Sequence, residues 1–550
     1  MAQENVSRRG FVKAAGLAGL GVAALGMLPA CASQNKGSSS GAASGASGIS
    51  WDEETDVLVV GSGTSAFAAL VAKANDVENV TIIEKSSIWG GTSATSGGTL
   101  WIPLFYAGQE AGMNDTREDA LKYMKAVAAG RGNEAAMELY VDNANAMVEW
   151  TRDTFGWEWV TDTPGMGFKD YYEPYEGFRA QGRQASLGNG GAGLWSQLQQ
   201  NIKDLGIDVK MGTAAEDIIV DDAGAVVGVK ASDGGKELYI KANTCVVLGT
   251  GGFDHNPDMV NAFQAVPIYV TNAAEGNVGD AQMMGGAVGA ALANMDTNWG
   301  VPSFLPGPFD ESADAMFSIL LTDWGIYRGG AGSIVVNKNG KRFANEASAY
   351  AVFNRAFGNY DTAAPGFANI PAMWVCDSNY LTSGGGVLPG MKTPEDPLPE
   401  NFFKADTLEE IAEHFGVDPQ GLVDEVQKFN GYAEAGVDLD WHRGEKEADK
   451  AVSAYHPYLS ELPNPSLAPL ATPPYYASLY VPGTCGTNGG LKTNEYAQVV
   501  NTKGDVIPRL LAVGNCSASI TGGQYCGAGM TLGSGAVMSW IGMRNLLGIS

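Results

Sequence analysis

Basic charge is scarce in this 550-residue chain: 34 Lys and Arg stand against 61 Asp and Glu, a formal net charge of −27. Binding to nucleic acid or an anionic membrane by counterion release needs clustered Lys and Arg, so this balance argues against both partners. Histidine is scarcer still, with only His255, His414, His442 and His456. The six cysteines, Cys31, Cys245, Cys376, Cys485, Cys516 and Cys526, show no C-x-x-C spacing. That pattern disfavours a zinc ribbon, a thioredoxin-type pair and a disulfide framework, and no metal site is expected. The absence of C-x-x-C-H means that no covalently attached c-type haem is encoded. Long apolar runs are missing too: "AAGLAGLGVAALGML" is too short and Gly-rich to span a membrane, which takes about 20 residues.

That run sits in a signal-like segment, residues 1–31. "SRRGFVK" precedes it and "LPAC", ending at Cys31, follows it. Charged region, apolar region and small-residue cleavage site occur in the order of an export signal. The pair Arg8-Arg9 with Phe11 and Lys13 resembles a twin-arginine signal, the route for proteins exported already folded. Leu28 to Cys31 resembles a lipobox with an atypical proline, so lipid anchoring at Cys31 and simple release both remain open. Residues 32–50, rich in Gly and Ser, read as a flexible linker. Folded structure is expected from Trp51, and 45% hydrophobic residues suit two or three globular domains.

What the chain has in abundance is glycine, 74 in all. "TDVLVVGSGTSAFAALVAKANDVENVTIIEKS" reads as strand, glycine turn, helix and second strand, the layout of a dinucleotide-binding βαβ unit. Gly61 makes the turn, Gly63 lets backbone approach a pyrophosphate, and Ala66 stands where a third glycine often sits. Glu84, ending the second strand, is placed to bind the adenosine ribose. "GGTSATSGG" (Gly90 to Gly98) follows at once, and "CVVLGTGGFDHN" (Cys245 to Asn256) is a second strand-and-glycine element. Near the C-terminus "GGQYCGAGMTLGSG" packs six glycines around one tyrosine, Tyr525.

These segments together resemble the flavoprotein family of fumarate reductase and succinate dehydrogenase, which implies FAD as the cofactor. The resemblance implies cofactor contacts at Gly61, Gly63, Thr64, Ser65 and Ala66, at Glu84 and Lys85, and at Gly91, Thr92, Ser93, Ser96, Gly97 and Gly98. Further contacts are implied at Ala214, at Thr250, Gly251 and Gly252, at Asp280, and at Asn515, Gly529 and Leu532. "GGTSATSGGTLWIP", "GSIVVNKNGKRFANEASAY", "GTNGGLKTNEYAQVVN" and the Tyr525 segment are most similar to the 3-ketosteroid dehydrogenase branch.

The fumarate-reducing branch places an arginine proton donor after an "NE" motif and clamps a dicarboxylate with further arginine and histidine, because a doubly charged substrate in a dry pocket needs cations. Here the donor position is Tyr350, and residues 481–535 hold no histidine and one arginine, Arg509. A neutral ketone needs no such cations. In the steroid branch a tyrosine hydroxyl and a glycine amide hold the substrate ketone. Carried over, these are Tyr525 and the Gly529 N–H, an oxyanion hole in which the α-carbon can exchange a proton while hydride passes between the β-carbon and the flavin.

Tyr350 becomes the acid or base, partnered by a tyrosine in "KDYYEPYEGF", Tyr172 first and Tyr171 second. Trp101, Phe105 and Tyr106 could wall an apolar ligand or simply pack a core. Cys485, Cys516 and Cys526 share the cofactor-facing segments but match no iron–sulfur spacing.

The expected architecture is α/β: a discontinuous Rossmann-like FAD-binding domain, residues 51–285 and 455–550, around an inserted α+β substrate or capping domain, residues 286–454. The expected activity is that of an exported, FAD-dependent oxidoreductase reducing a C=C bond conjugated to a carbonyl, on a steroid-like or other apolar ring. A membrane-linked carrier would feed it electrons. A steroid-type dehydrogenase working oxidatively stays open, as does a non-catalytic flavin-binding surface lipoprotein. So does a reductase of an unsaturated monocarboxylate, with Arg355 or Arg183 as counter-charge.

Overall fold

The strand Glu53–Val60 buries every residue from Val57 onward because it runs through the middle of a sheet, parallel to Val80–Glu84 on one side and Lys236–Leu248 on the other. Parallel strands covered on both faces read as continuous apolar runs, which is why "VLVV" and "VTII" show no alternation. Asp208–Met211 and Val506–Ala512 extend the parallel sheet outward, and Gln498–Val500 closes one edge antiparallel. The hairpin Thr213–Val220 and Val226–Asp233 joins Lys236–Leu248 antiparallel. The structure is a computed structural model that describes residues 48–549 apart from 162–169, 313–314, 319–320, 383–386, 394 and 454–461. The signal-like segment 1–31, with Arg8, Arg9 and Cys31, and nearly all of the linker 32–50 lie outside the described residues.

Two helices bring backbone to the carboxyl ends of these strands. Ala66–Ala74 follows the first strand through the Gly61 turn and buries Ala66 to Ala72. The terminal helix Met530–Leu546 presses on that turn: the Ser539 hydroxyl donates to the Thr64 carbonyl at 3.0 Å, and a Cβ on Gly535 would stand 2.3 Å from Thr64 Oγ1. Close packing of two helices around a loop therefore accounts for part of the glycine density near the C-terminus.

A second sheet is antiparallel and carries Ser303–Phe304, Tyr475–Val481, Ala372–Cys376 and Ser333–Val336 in that order, with Phe403–Ala405 also on Tyr475–Val481. Leu408–Phe415, begun by a capping box between Thr407 and Glu410, and Pro419–Ala435 cover one face, burying Ile411, Leu422 and Phe429 against Ile334 and Val375. Tyr475–Val481 lies in residues 455–550, expected to belong to the FAD-binding domain, yet it pairs with strands from residues 286–454 in the second sheet; the chain returns to the first sheet at Gln498–Val500. Its "YYASLYV" has strand propensity, but propensity does not say which distant partner a strand takes.

Between the sheets, Gly483–Thr487 pairs with Asn298–Gly300 and Val270–Thr271, which sets Trp299 and Cys485 beside the cofactor-facing segments. The mixed α/β class expected from the sequence is the class found. Among the described residues no helix is long and apolar enough to cross a membrane.

Candidate active site

Ligands of open parallel sheets bind beyond the carboxyl ends of the strands, where neighbouring connections diverge. Here a cavity of about 520 Å³ starts at that point, lined by Val60, Gly61, Glu84 and Thr250, and reaches Tyr350, Tyr525 and Gly529. Gly61 has φ +103°, and a Cβ there would stand 2.3 Å from the Gly249 carbonyl oxygen, so the turn admits only glycine. Gly63, by contrast, meets nothing nearer than Ser93 Oγ at 3.4 Å and leaves its backbone open to the cavity. The Glu84 carboxylate is oriented by the Ser62 amide and hydroxyl, at 2.9 and 2.7 Å, and by the Ser86 amide at 2.8 Å. A carboxylate has acceptor capacity beyond three such bonds, which leaves Glu84 able to take a ribose hydroxyl.

Most of the cofactor positions expected from the sequence come together along this cavity. Thr64, Lys85, Gly91, Thr92, Ser93, Ser96, Gly97, Gly98, Gly251, Asp280, Asn515 and Leu532 line it with those already named. Lys85 and Asp280 form an ion pair at its edge. Four expected contacts do not line it. Ser65 turns its hydroxyl to the Gly61 carbonyl at 2.7 Å, and Ala66 is buried in its helix. On the strand Thr213–Val220 it is Thr213 and Ala215 that face the cavity, and strand alternation sends Ala214 to the other side. Gly252 packs against Thr487, whose Oγ1 would be 2.3 Å from an added Cβ.

The far end of the cavity is aromatic. Tyr350, the first residue of the helix Tyr350–Asn354, and Tyr525 meet Tyr171 in a three-ring cluster. The ring centroids are 5.3 Å apart for Tyr171 and Tyr350, 5.5 Å for Tyr171 and Tyr525, and 5.7 Å for Tyr350 and Tyr525, all edge-to-face. The order of preference read from the sequence is therefore reversed: Tyr171 is the partner of Tyr350, while Tyr172 stacks on Tyr175 at 5.3 Å. The chain bends at Tyr171, and only its ring of the two packs on Tyr350 and Tyr525.

Gly529 caps the terminal helix with φ +93°, and a Cβ on it would lie 2.6 Å from the Leu100 carbonyl carbon. The Thr531 hydroxyl donates to the Tyr525 hydroxyl at 3.1 Å. Burial pushes the Tyr525 phenol above its ordinary pKa, with the Thr531 hydroxyl pulling against it, and Tyr525 and Gly529 both line the cavity. Burial likewise raises Tyr350 and Tyr171 well above an ordinary phenol. All three are neutral hydroxyls at physiological pH, able to donate.

Residues that sequence reasoning missed hold this cluster. Trp299 lies against Tyr525 at 4.8 Å and donates its Nε1–H to Asn515 at 2.9 Å, while Trp324 stands edge-on to Tyr350 at 4.9 Å. The buried Tyr123 hydroxyl donates to the Cys526 carbonyl at 2.6 Å and accepts from the Tyr171 and Tyr172 amides at 2.9 and 3.1 Å. Only Thr531, on the first turn after the Gly529 cap, carried a local signal; the others come from segments with no motif.

Trp101 and Phe105 are fully buried away from the cavity, and the Trp101 Nε1–H donates to Asp170 at 2.8 Å, so these aromatics pack a core. Arg183 is also fully buried, with its guanidinium committed to Asp115 and Asp170, and has no face for a substrate. Cys485 lines the cavity and its thiol donates to the Trp299 carbonyl, whereas Cys516 bonds the Leu248 and Val513 carbonyls. Among the described residues, no His, Cys, Asp and Glu side chains gather as a metal site.

A family model described as an FAD binding domain matches residues 56–532. The chain belongs to that FAD-binding family. It is 31% identical to the 4-oxocyclohexanecarboxylate 2-dehydrogenase of Sinomonas cyclohexanicum, over 90% of this chain and 93% of that one. It is 27% identical to the digoxin reductase of Eggerthella lenta, over 99% of this chain and 97% of the other. Among solved structures, a 3-ketosteroid Δ1-dehydrogenase from Sterolibacterium denitrificans with bound 1,4-androstadiene-3,17-dione superposes with TM-score 0.80 at 28% identity, covering 90% of this chain and 100% of that one.

The flavoprotein is thus an FAD-dependent oxidoreductase of a family acting on CH–CH bonds. Its cavity suits FAD: open glycine backbone, hydroxyls and the Glu84 carboxylate with acceptor capacity to spare stand at one end, and an apolar aromatic chamber for a flat ring at the other.

Proposed function

We propose that the protein reduces a carbon–carbon double bond conjugated to a ketone on a steroid-like or other apolar ring. The observation that carries this reading is the cavity reaching Tyr525 and Gly529 together at its aromatic end, with the neutral Tyr350 hydroxyl in the same ring cluster. Tyr525 and Gly529 donate to the ketone oxygen and stabilise the negative charge that grows there, the largest single contribution such sites make. Tyr350 gives its proton to the α-carbon, and Tyr171 beside it is placed to return one. When bound, FAD supplies the hydride exchanged with the β-carbon.

The charge of the cavity lining favours ketones over dicarboxylates. Among the described residues no arginine or histidine lines the cavity, and Lys85, its basic lining residue, is paired with Asp280. Burial keeps Tyr350 a phenol, the form that gives a proton to the α-carbon in the proposed reduction. The signal-like Arg8-Arg9 segment supports export by the twin-arginine route, with a membrane-linked carrier as the electron source. The digoxin reductase alignment, which runs over 99% of the chain, supports the same direction.

The test is anaerobic turnover of the FAD-loaded protein, with reduced viologen as donor, on ring enones, fumarate and cinnamate-like acids. Turnover of the enones supports the reading, and turnover of the open-chain acids alone sinks it. The oxidative reading has its own support in the dehydrogenase names of the Sinomonas and Sterolibacterium proteins. It predicts faster reduction of an artificial acceptor by saturated ring ketones than turnover of enones.

A further inference from the structure

The segments that carry Tyr171 and Gly529 have little regular structure to hold them. The strands Leu100–Trp101 and Gln184–Ala185 have two residues each, and Asp170 meets Gly527 in a lone antiparallel bridge. What joins them is a charged network in the core. The Arg183 guanidinium donates to Asp115 through Nε and Nη2 at 2.8 and 2.7 Å, to the Gly177 carbonyl at 2.8 Å, and through Nη1 to Asp170. Asp170 also accepts from the Trp101 indole at 2.8 Å and the Arg179 amide at 3.1 Å, and Asp115 accepts from the Leu104 amide at 3.0 Å. The side chains of Asp115, Asp170 and Arg183 are all fully buried.

Burying two carboxylates and a guanidinium costs about as much as their attraction returns, and apolar groups of the same volume commonly serve stability as well. Stability therefore does not explain the triad, and the residues it touches point elsewhere. Asp170 immediately precedes Tyr171, whose amide donates to the Cys526 carbonyl at 3.0 Å. Gly527, the bridge partner of Asp170, stands two residues before Gly529. Trp101 lies against both glycines: a Cβ on Gly527 would be 2.9 Å from its Cδ1, and one on Gly529 would be 2.7 Å from its amide nitrogen.

We propose that Asp170, ionised and clamped by Arg183, is a positioning residue for the reaction, holding Tyr171 and the Gly529 amide in register with each other. The role rests on the ketone reading above, in which Gly529 holds the ketone oxygen and Tyr171 serves Tyr350. Losing it should lower kcat and not raise KM, because charge on the ketone oxygen grows only in the transition state. The charge on Asp170 is open to titration. Burial pushes its carboxyl up to about 6, with Arg183, the Trp101 indole and the Arg179 amide pulling it down and Asp115 pushing it up. The Arg179 guanidinium faces Asp115 and Asp119, and the Tyr123 and Cys526 side chains near Asp170 are raised by burial and stay neutral over the same range. A fall in pH through that value therefore removes the charge that clamps Arg183 to the Tyr171 segment.

The experiment follows kcat of the holoenzyme against pH on a ring enone, which is neutral and has no titration of its own. Wild-type kcat should drop as the pH falls through about 6. Asp170→Asn leaves Arg183 its bidentate partner Asp115, so it should keep FAD and show no such acidic loss, with kcat about tenfold lower at pH ~7 and KM little changed. Trp101→Phe removes a donor that lowers the Asp170 pKa, so its acidic loss should begin at higher pH. Asp170→Asn at wild-type kcat, or at lower kcat with the acidic loss still present, overturns the positioning role and leaves the ketone reading standing. A flat wild-type profile does the same. Should Asp170→Asn fail to fold, Trp101→Phe decides, and an unmoved profile overturns the role. A wild type that turns over no ring enone overturns the ketone reading, and the positioning role with it.

Discussion

Tyr350 and Tyr525 come from opposite sides of the fold and meet edge-to-face, ring centroids 5.7 Å apart at 64°. One begins a short helix beside the second sheet, and the other precedes the helix that packs on the nucleotide turn. In the proposed reduction their hydroxyls serve different ends of an enone: Tyr525 with the Gly529 amide would hold the oxygen, and Tyr350 would supply the carbon-bound proton.

Tyr350→Phe should abolish the proton donor and leave FAD content unchanged. The wild-type pH profile follows from the direction of the Tyr350 shift. Because burial raises its pKa above an ordinary phenol, the protonated form persists past pH ~10. Enone reduction should show no alkaline loss between pH ~7 and ~9, measured as kcat against pH; a fall in that range assigns the proton to another group.

Much of the candidate site was legible in the sequence, because its parts lie on local motifs. Gly61, Gly63 and Glu84 form a βαβ signature, and Tyr350, Tyr525 and Gly529 sit at fixed offsets within recognisable segments. What could not be read was set by tertiary placement. Nothing local chooses between Tyr171 and Tyr172, since the choice depends on which ring faces Tyr350. Tyr475–Val481 joins the second sheet through pairings with residues about a hundred positions away. Tyr123 and Trp299 belong to ordinary-looking segments and matter only through what they touch.

Tyr123→Phe tests the positioning of Tyr171. The change leaves the Tyr172 amide without its hydroxyl partner, whereas the Tyr171 amide keeps its bond to the Cys526 carbonyl at 3.0 Å, and the cost is about 1–3 kcal/mol in stability, read by denaturant unfolding. The expected functional signature is a roughly tenfold lower kcat with an unaltered flavin content. Lost stability with an unchanged kcat would make Tyr123 purely structural.

Gly535→Ala should weaken FAD retention, because the added Cβ would stand 2.3 Å from Thr64 Oγ1 and push the terminal helix off the nucleotide turn. Gly431→Ala is the control: it lies within the helix Pro419–Ala435 with nothing within 4 Å of an added Cβ. It should stabilise by about 0.5–1 kcal/mol. The comparison is flavin-to-protein absorbance ratio after purification, together with melting temperature.

The most direct measurement is single-turnover reoxidation of the pre-reduced flavoprotein, followed by flavin absorbance under anaerobic stopped flow, for wild type and Tyr525→Phe. The account predicts that a ring enone reoxidises the wild type while fumarate does not, and that Tyr525→Phe, with FAD still bound, is slower by about a hundredfold or more. Equal rates in the two proteins, or reoxidation by fumarate as fast as by the enone, would contradict it.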